Sequence, residues 1–432
     1  MAQIRRLRAL GAACSLSVFL LLVFFLGVGQ AASIPDATRY VAPAGADGAN
    51  LCVDSAAPCA TVQHAVDVAT PGDEVRIAAG KYADVHARPA PAVYIGSPVI
   101  TQVVYLSKTL TLRGGYTTTN WNVSDPDALP TVLDAQGRGR ALFMSGEVGA
   151  FISPTLEGLW FVNGNAAGLG GAQFGIDGGG GIGALNAALT LNHSRIVSNT
   201  AAWGGGIALG RGSRCVLNDN RIISNTAATG GGLFIGQSDA TLRGNLFSGN
   251  FALQQGGGLL LLYSSATLVN NAIVGNSALG NVSGLGMAGT IAQLYHTTVA
   301  GNTGGDGSGV TVNELVSIPS SVFMTNTILV NQTVGITVGV SSQVQMDHVL
   351  WFANGVNQGG LGVISVANPY TGDPRLAADG YHLTFPSAAV DNGVEAGVTT
   401  DIDGGVRSVG PAPDLGADEL PYLSMHLPLV LK

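Results

Sequence analysis

Residues 217–250 read LNDNRIISNTAATGGGLFIGQSDATLRGNLFSGN, and one pattern, Leu-x-x-Asn-x-apolar-x-x-Asn, stands at both ends of this stretch. The pattern recurs along residues 191–332 at intervals of 25 to 30 residues. The asparagines assigned to the closing position of its six copies are Asn199, Asn225, Asn250, Asn276, Asn302 and Asn331. Self-similarity at a fixed period predicts a solenoid, in which each unit buries its apolar face against its neighbours.

Each unit contains three short apolar segments separated by turns. The first alternates with period two, as at Ala187, Leu189 and Leu191, and the last follows a glycine triplet such as 230–232. These segments are too short and too rich in glycine for helices, and the triplets also argue against a leucine-rich repeat. Three strands per unit, each stacked on its copy in the next unit, predict an all-β parallel β-helix of about 25 residues per coil, with about eleven coils between residues 80 and 360.

The repeated asparagines are expected to be structural. Asparagine tolerates the left-handed backbone region and bonds to its own backbone, so it is typical of turns. Stacked copies also bond amide to amide. The six asparagines named above are therefore predicted to form a ladder along one corner of the coil.

The ends of the chain carry their own signals. Residues 1–31 combine Arg5, Arg6 and Arg8 with a long apolar run and small residues, which predicts a cleaved secretory signal; an uncleaved anchor helix is the alternative. Cleavage would leave a secreted or cell-surface protein with no transmembrane segment. In an exported chain, Cys52 and Cys59 are expected to form a local disulfide.

Residues 37–82 are predicted to cap the solenoid. Apolar residues at 62, 65, 66 and 69 have helical spacing, and Pro71-Gly72-Asp73 ends that pattern. An amphipathic helix here would cover the open first coil, whose exposed strand edge would otherwise promote aggregation.

Several stretches resemble known proteins. PCATVQHAVDVATPGDEVRIAAGKY (58–82), LTLRGGY (110–116), VLDAQGRGRAL (132–142) and LEGLWFVNGNA (156–166) resemble secreted right-handed parallel β-helix repeat proteins of the pectate-lyase-like superfamily. The GGGI and FSGN pieces are similar to repeats of polymorphic outer-membrane proteins. Residues 373–394 and 400–420 are similar to a C-terminal region of bacterial surface proteins. The resemblance implies a right-handed β-helix over residues 83–365 and a C-terminal surface-protein module over residues 366–420. The short apolar tail, 421–432, is either a sorting or anchoring signal or a last strand.

Candidate catalytic residues are few. The superfamily includes enzymes that cleave acidic polysaccharides by β-elimination, which requires a base and a group that neutralises the substrate carboxylate. Arg195 and Arg221 share one column of the repeat, with Asp219 nearby, and are the basic pair that could serve; a solvated outer wall is the alternative. Clustered carboxylates for hydrolysis are missing from the repeats.

Other residues are candidates for binding. Asp401 and Asp403, in a D-x-D-G sequence, offer oxygen ligands for Ca²⁺, the one cofactor for which the sequence provides a candidate; a turn is the alternative. Trp160, Trp203 and Trp351 flank predicted corners and are candidates for stacking on sugar rings, or for packing over loops.

These observations favour an exported, non-catalytic β-helix protein, monomeric and acting at the cell surface in adhesion or glycan binding. A polysaccharide lyase or glycoside hydrolase acting on acidic polysaccharide, and a scaffold of a surface layer, remain alternatives. With 19 basic and 27 acidic residues, no nucleic-acid partner is expected.

Overall fold

The computed structural model describes residues 37–147, 149–172, 175–210 and 212–421. The predicted signal (1–31) and nearly all of the predicted tail (421–432) lie outside these ranges. The described residues form a right-handed parallel β-solenoid of about 9 turns of about 26 residues, so the predicted all-β parallel β-helix is confirmed, with fewer coils than expected. None of its helices is long and apolar enough to cross a bilayer.

Within the described residues, the coil walls are three sheets. Sheet A has 20 strands, which occupy two faces of each coil. Its strands are β1 (Thr38–Val41), β2 (Glu74–Ala78), β3 (Gly80–Tyr82), β6 (Thr111–Tyr116), β7 (Thr131–Asp134), β9 (Thr155–Glu157), β10 (Leu159–Val162), β12 (Ala188–Asn192), β13 (Arg195–Val197), β16 (Arg214–Asn218), β17 (Arg221–Ile223), β20 (Asp239–Arg243), β21 (Leu246–Ser248), β24 (Ser265–Val269), β25 (Ala272–Val274), β28 (Ile291–Tyr295), β29 (Thr298–Ala300), β32 (Ser321–Val330), β34 (Gln343–Phe352) and β36 (Val363–Thr371).

Sheets B and C complete the coil. Sheet B has 11 described strands: β4 (His86–Pro89), β5 (Val99–Leu106), β8 (Arg140–Ser145), β11 (Ile182–Leu185), β15 (Ile207–Gly210), β19 (Leu233–Gly236), β23 (Leu259–Leu262), β27 (Leu285–Ala288), β31 (Ser308–Asn313), β33 (Val334–Val338) and β35 (Val356–Gly360). Sheet C has five described strands: β14 (Thr200–Trp203), β18 (Thr226–Thr229), β22 (Phe251–Gln255), β26 (Ser277–Ala278) and β30 (Thr303–Gly304). Apart from β4, whose pairing with β5 is antiparallel, the strands pair in parallel with the equivalent strand of the next coil.

The core is built from columns of one inward residue per coil. One column continues from Leu191 through Leu217, Leu242, Leu268 and Leu294 to Met324, in register at every step. All of these side chains are buried. Because side chains alternate across a strand, the residues between them point outward and are free to vary.

The asparagine ladder occupies one corner. The Asn225 side-chain amide donates to Asn250 Oδ1 at 3.0 Å and to the carbonyl oxygen of Ile196 at 2.8 Å. The same amide-to-amide bond joins Asn199 to Asn225, Asn250 to Asn276 and Asn276 to Asn302. From Asn199 to Asn276, each side-chain amide in this buried column thus donates both to the next asparagine and to a backbone carbonyl.

Asn331 lies outside the ladder. Ala300 pairs with Val330, so Gln332 is the residue of the next coil that stacks on Asn302. Gln332 is 3 % exposed, whereas Asn331 is exposed and has a φ of 57°. The extra residues of this coil precede Ser321, so the motif itself keeps its register. Asn354 resumes the ladder, where its Oδ1 accepts from the backbone N–H of Gln332 at 3.0 Å.

The N-terminal end of the solenoid is covered. Helix α1 (Val62–Val68) begins at Thr61, whose hydroxyl accepts from the backbone N–H of His64, and it buries Val62, Ala65 and Val66 against the first coils. Cys52 and Cys59 form a disulfide beside it. Cys215 is the free cysteine of the described residues, and burial raises the pKa of its thiol to about 12.

The chain after β36 turns back along the outer face of sheet A. This C-terminal segment, residues 372–421, contains no regular helix or strand. It begins beyond Thr371, so the last strand of the solenoid extends past the boundary predicted at residue 365. The other predicted domain boundaries stay predictions.

Candidate functional site

One outward column of sheet A places three predicted residues side by side. Trp160 on β10 pairs with Arg195 on β13, and Arg195 pairs with Arg221 on β17. Their neighbours Phe161, Ile196 and Ile222 point inward and are buried. Strands in adjacent coils lie about 4.8 Å apart, so the two guanidinium groups start from backbones one coil apart.

The two arginines differ in what they contact. The Arg195 guanidinium lies 4.6 Å from the centre of the Trp160 ring, and its Nη2 lies 2.8 Å from Asp127 Oδ1. Arg221 is exposed and makes no side-chain hydrogen bond or ion pair with any described residue. Arg221 therefore retains all of its donors for a ligand.

Asp219 lies at the corner next to this column. Asp219 and His193 occupy the same position in successive coils, both with positive φ, and His193 Nε2 lies 3.4 Å from Asp219 Oδ2. Burial raises the pKa of the Asp219 carboxyl, and the adjacent His193 reduces this effect. The three catalytic candidates, Arg195, Arg221 and Asp219, thus come together on the outer wall.

The C-terminal segment turns this wall into a cleft. Tyr381, Ile402 and Asp403 face the arginine column across a space of about 310 Å³, which also borders His193 and Asp219. A second, adjoining depression of about 450 Å³ lies between Asn218 and residues 397–401. The wall is supplied by residues near 200 and the opposite side by residues near 400, so the cleft exists only in the folded chain.

A buried arginine fixes the C-terminal segment on the wall. The Arg407 side chain is fully buried; it lies 3.3 Å from Glu419 Oε2 and donates to the carbonyl oxygen of Ala417 at 2.7 Å and to Asn270 Oδ1 at 3.3 Å. The backbone N–H of Ala417 donates to Thr298 Oγ1 at 3.0 Å. Asn270 and Thr298 belong to the solenoid, so these bonds hold the two parts of the cleft together.

His382 connects the loops of the segment behind the cleft. Its Nδ1 lies 2.5 Å from Asp379 Oδ2 and its Nε2 lies 2.5 Å from Asp403 Oδ2. Burial alone would lower the pKa of His382, but the hydrogen bonds with Asp379 and Asp403 outweigh it and raise that pKa. The imidazolium form therefore stabilises the position of Asp403 at the rim of the cleft.

The predicted calcium ligands have different roles. Asp401 is buried, and its Oδ1 accepts hydrogen bonds from the backbone N–H groups of Asp403 and Gly405. These bonds are typical of a turn, which was the alternative to a calcium site. Asp403 instead lies with His382 and Asp418, whose ligand atoms all fall within 4.8 Å of one another. A histidine nitrogen with two carboxylates suits a transition metal better than Ca²⁺, which prefers oxygen ligands.

The other two tryptophan candidates do not line the cleft. Trp351 is 4 % exposed because it occupies the inward column of Leu329, so its ring cannot stack on a sugar. Trp203 lies on sheet C, with its ring centre 4.7 Å from that of Phe234, and packs over the outer face of sheet B. Of the three candidates, Trp160 alone borders the arginine column.

Some residues that line or support the cleft had no signal in the sequence. Tyr381, His382 and Asp127 lie outside the repeats, and no local spacing connects them with Arg195 or Arg221. The sequence pattern does not indicate that residues near 380 approach the wall, because this is a long-range contact. The two arginines in one repeat column could be identified from the sequence, and they belong to the wall side of the cleft only.

The chain is similar to known β-helix proteins. Residues 156–303 match the family model described as right handed beta helix region, which together with the observed turns confirms the predicted right-handed parallel β-helix. No curated protein sequence matches the chain.

Solved structures with a similar backbone include a pectate lyase, Pel9A, with a TM-score of 0.46 and 12% identity, covering 90% of this chain and 98% of that chain. A rhamnogalacturonan lyase has a TM-score of 0.30 and 13% identity, covering 73% and 74%. An alginate lyase from Paenibacillus sp. str. FPU-7 has a TM-score of 0.26 and 13% identity, covering 72% and 95%.

Proposed function

We propose that the protein is an exported, non-catalytic β-helix protein that binds a glycan bearing carboxylate groups in the cleft between sheet A and the C-terminal segment. The observation that carries this proposal is the stacking of Arg195 and Arg221 in adjacent coils, facing that cleft. A guanidinium group presents a planar fork of donors that matches a carboxylate in two parallel hydrogen bonds. Arg221, which has no partner among the described residues, is the first contact.

The acidic residues of the cleft contribute selectivity. Asp127, Asp219 and Asp403 line the same space as the two arginines, so the cleft is not strongly basic. Carboxylate oxygens accept hydrogen bonds from sugar hydroxyl groups and repel polyanions whose charges are misplaced. A uronic-acid saccharide, with hydroxyls and one carboxylate per ring, fits this mixture better than a uniformly charged polymer.

Binding to a glycan array, with and without a chelator, tests the proposal. The best acidic ligand is then titrated into the wild-type protein and into Arg221→Gln. Loss of a charge-assisted bidentate contact of about 1.5–3 kcal/mol corresponds to at least about tenfold weaker binding. Arg214→Gln is the matched control, because Arg214 is exposed on the same sheet but pairs with Asp239 outside the cleft.

Two results would contradict the proposal. One is the absence of any acidic glycan among the ligands of the array. The other is equal affinity of Arg221→Gln and the wild type for the acidic ligand. A carboxyl-reduced form of the ligand should bind to the wild type and to Arg221→Gln with similar, low affinity.

A polysaccharide lyase is the second candidate. The cleft brings a guanidinium group, a tyrosine and carboxylates together, as β-elimination next to a carboxylate requires. Burial raises the pKa of Tyr381, so its phenol keeps its proton and suits an acid rather than a base. Unsaturated uronate products, detected by ultraviolet absorbance and lost in Arg221→Gln, would favour the lyase over a binding protein.

A further inference from the structure

The C-terminal end of the solenoid is open. Strand β36 pairs with β34 and β35 pairs with β33, and no described strand pairs with the other edge of either. One edge of each strand therefore presents unpaired backbone N–H and C=O groups. Such an edge is a template for pairing with another strand.

The side chains of this last coil are apolar and exposed. Leu361 is 85 % exposed, Val363 65 % and Val356 54 %. Ile364 and Val366 continue the inward columns of Val344 and Met346, but they are only partly buried because no further coil of the described chain covers them. The open end therefore exposes part of the hydrophobic core.

The edge of the last coil has no charged side chains to protect it, and Pro369 of β36 is a residue there without a backbone N–H to donate. Residues 349–372 contain no Asp, Glu, Lys or Arg, whereas native edge strands are commonly protected by charged side chains. The N-terminal end, in contrast, is covered by helix α1, whose Gln63 side chain bonds to the backbone N–H and C=O of Tyr105. Among the residues that the structure describes, the chain thus covers the N-terminal end of the solenoid and leaves the C-terminal end uncovered.

We propose that this open end binds the same end of a second copy of the chain. A two-fold axis normal to sheet A would place the two β36 strands antiparallel and keep the inward face of each strand inward. The free backbone groups would then pair across the interface, and Ile364 and Val366 would meet their equivalents. An uncharged surface can be applied to its own copy without electrostatic repulsion, which favours a second copy over a charged partner.

Sedimentation of the purified protein over a wide range of concentration tests the proposal. The wild type is expected to form a dimer. Val363→Lys places a charge at the paired edge, and we expect its dimer dissociation constant to rise by about tenfold or more. The matched control is Ile291→Lys: Ile291 is 62 % exposed and lies in the same outward column, three coils from the edge. The control should dimerise like the wild type.

Other outcomes overturn the proposal. A wild type that stays monomeric at all concentrations would do so, as would equal effects of Val363→Lys and Ile291→Lys. Residues 422–432 are the other candidate to cover the open end. If a chain ending at Pro421 dimerises while the full chain is monomeric, the tail and not a second copy is the occupant.

Discussion

At the residue scale, the corners of the coil decide which side chains are allowed. Next to the arginine column, one position has positive φ in nine successive coils, occupied by Gly158, His193, Asp219, Gly244, Asn270, His296, Asn326, His348 and Asn368. Asparagine, aspartate, histidine and glycine are the residues that adopt this backbone most readily.

The ladder corner is similarly restricted, since a Cβ on Gly206 would lie 2.5 Å from the carbonyl oxygen of Gly232 and 3.1 Å from the Asn225 amide nitrogen. The glycine triplets and the asparagines therefore depend on each other.

His296 should make the protein sensitive to acid. Burial, and then the nearby charge of Arg407, lower the pKa of this imidazole from 6.5 to about 3. The unfolded chain binds the proton first as the pH falls, so the stability contribution of His296 is present above pH 6.5 and is lost between pH 6.5 and about 3.

His296→Asn removes this titrating group and keeps a residue type that the column already accepts. Between pH 7 and pH 4.5, the wild type should lose about 2–3 kcal/mol more unfolding free energy than the variant. Denaturant unfolding at the two pH values measures the difference. Equal losses in both proteins would mean that His296 is not buried as a neutral group.

Asn250 should be far more important for stability than a partly buried asparagine that is paired on the outer face. Asn250→Ala removes two donated hydrogen bonds and leaves the Asn225 side-chain amide and backbone N–H without their acceptor. Each buried orphan costs about 1–3 kcal/mol, so we expect a loss of about 3 kcal/mol or more. Asn218→Ala is the control, because its partly buried amide bonds to Asn192 on the outer face and should cost less than about 0.5 kcal/mol. Comparable losses in the two variants would contradict a dominant role of the ladder.

At the scale of elements, the C-terminal segment is held by polar contacts more than by regular structure. Asn326 of β32 illustrates this: its Nδ2 donates to the carbonyl oxygen of Val394 at 2.7 Å and its Oδ1 accepts from the backbone N–H of the same residue at 2.9 Å. A smaller apolar cluster, including Leu383, Ala389 and Leu415, packs against Ile328 and Leu350 of the outer wall. The segment is therefore a separate layer that depends on a few buried groups.

Arg407→Met should detach this layer without unfolding the solenoid. Removing one partner of a buried ion pair costs about 3–5 kcal/mol, and here it leaves Glu419 buried without its arginine. Hydrogen exchange should increase across residues 373–421 while the β circular dichroism is retained, and affinity for the glycan should fall because Tyr381 and Asp403 are displaced. Arg375→Met, at an exposed arginine of the same segment, should leave both unchanged. Unchanged exchange in Arg407→Met would mean that the apolar cluster alone holds the segment.

At the scale of the whole molecule, the solenoid separates its two proposed surfaces. The cleft lies near the coils that contain Arg195 and Arg221, whereas the open edge begins at β36, several coils further along. In a solenoid each coil contacts only its neighbours, so a change at one surface should have little effect on the other. Dimerisation through the open end would present two glycan clefts on one particle, which would increase binding to a polymeric glycan through avidity.

The architecture of the coil could be predicted from the repeated pattern alone. The period of the asparagines, the alternation of Leu189 and Leu191, and the glycine triplets are local constraints, and each coil contacts mainly a copy of itself, so the pattern is sufficient to predict the architecture. The register at Gln332 was missed because two adjacent residues, Asn331 and Gln332, can both form a corner, and only pairing with the previous coil separates them. The inward position of Trp351 was missed for the same reason.

The cleft and the open end, in contrast, depend on contacts between distant parts of the chain. Tyr381 faces Arg221 because Arg407, Asn270 and Thr298 bring the C-terminal segment back over the wall, and contacts between residues more than a hundred positions apart leave no periodic trace. The exposure of Val363 likewise depends on tertiary structure, because no described strand pairs with the free edge of β36. Strand propensity is encoded within a few residues, whereas burial and the meeting of distant side chains are properties of the packed chain.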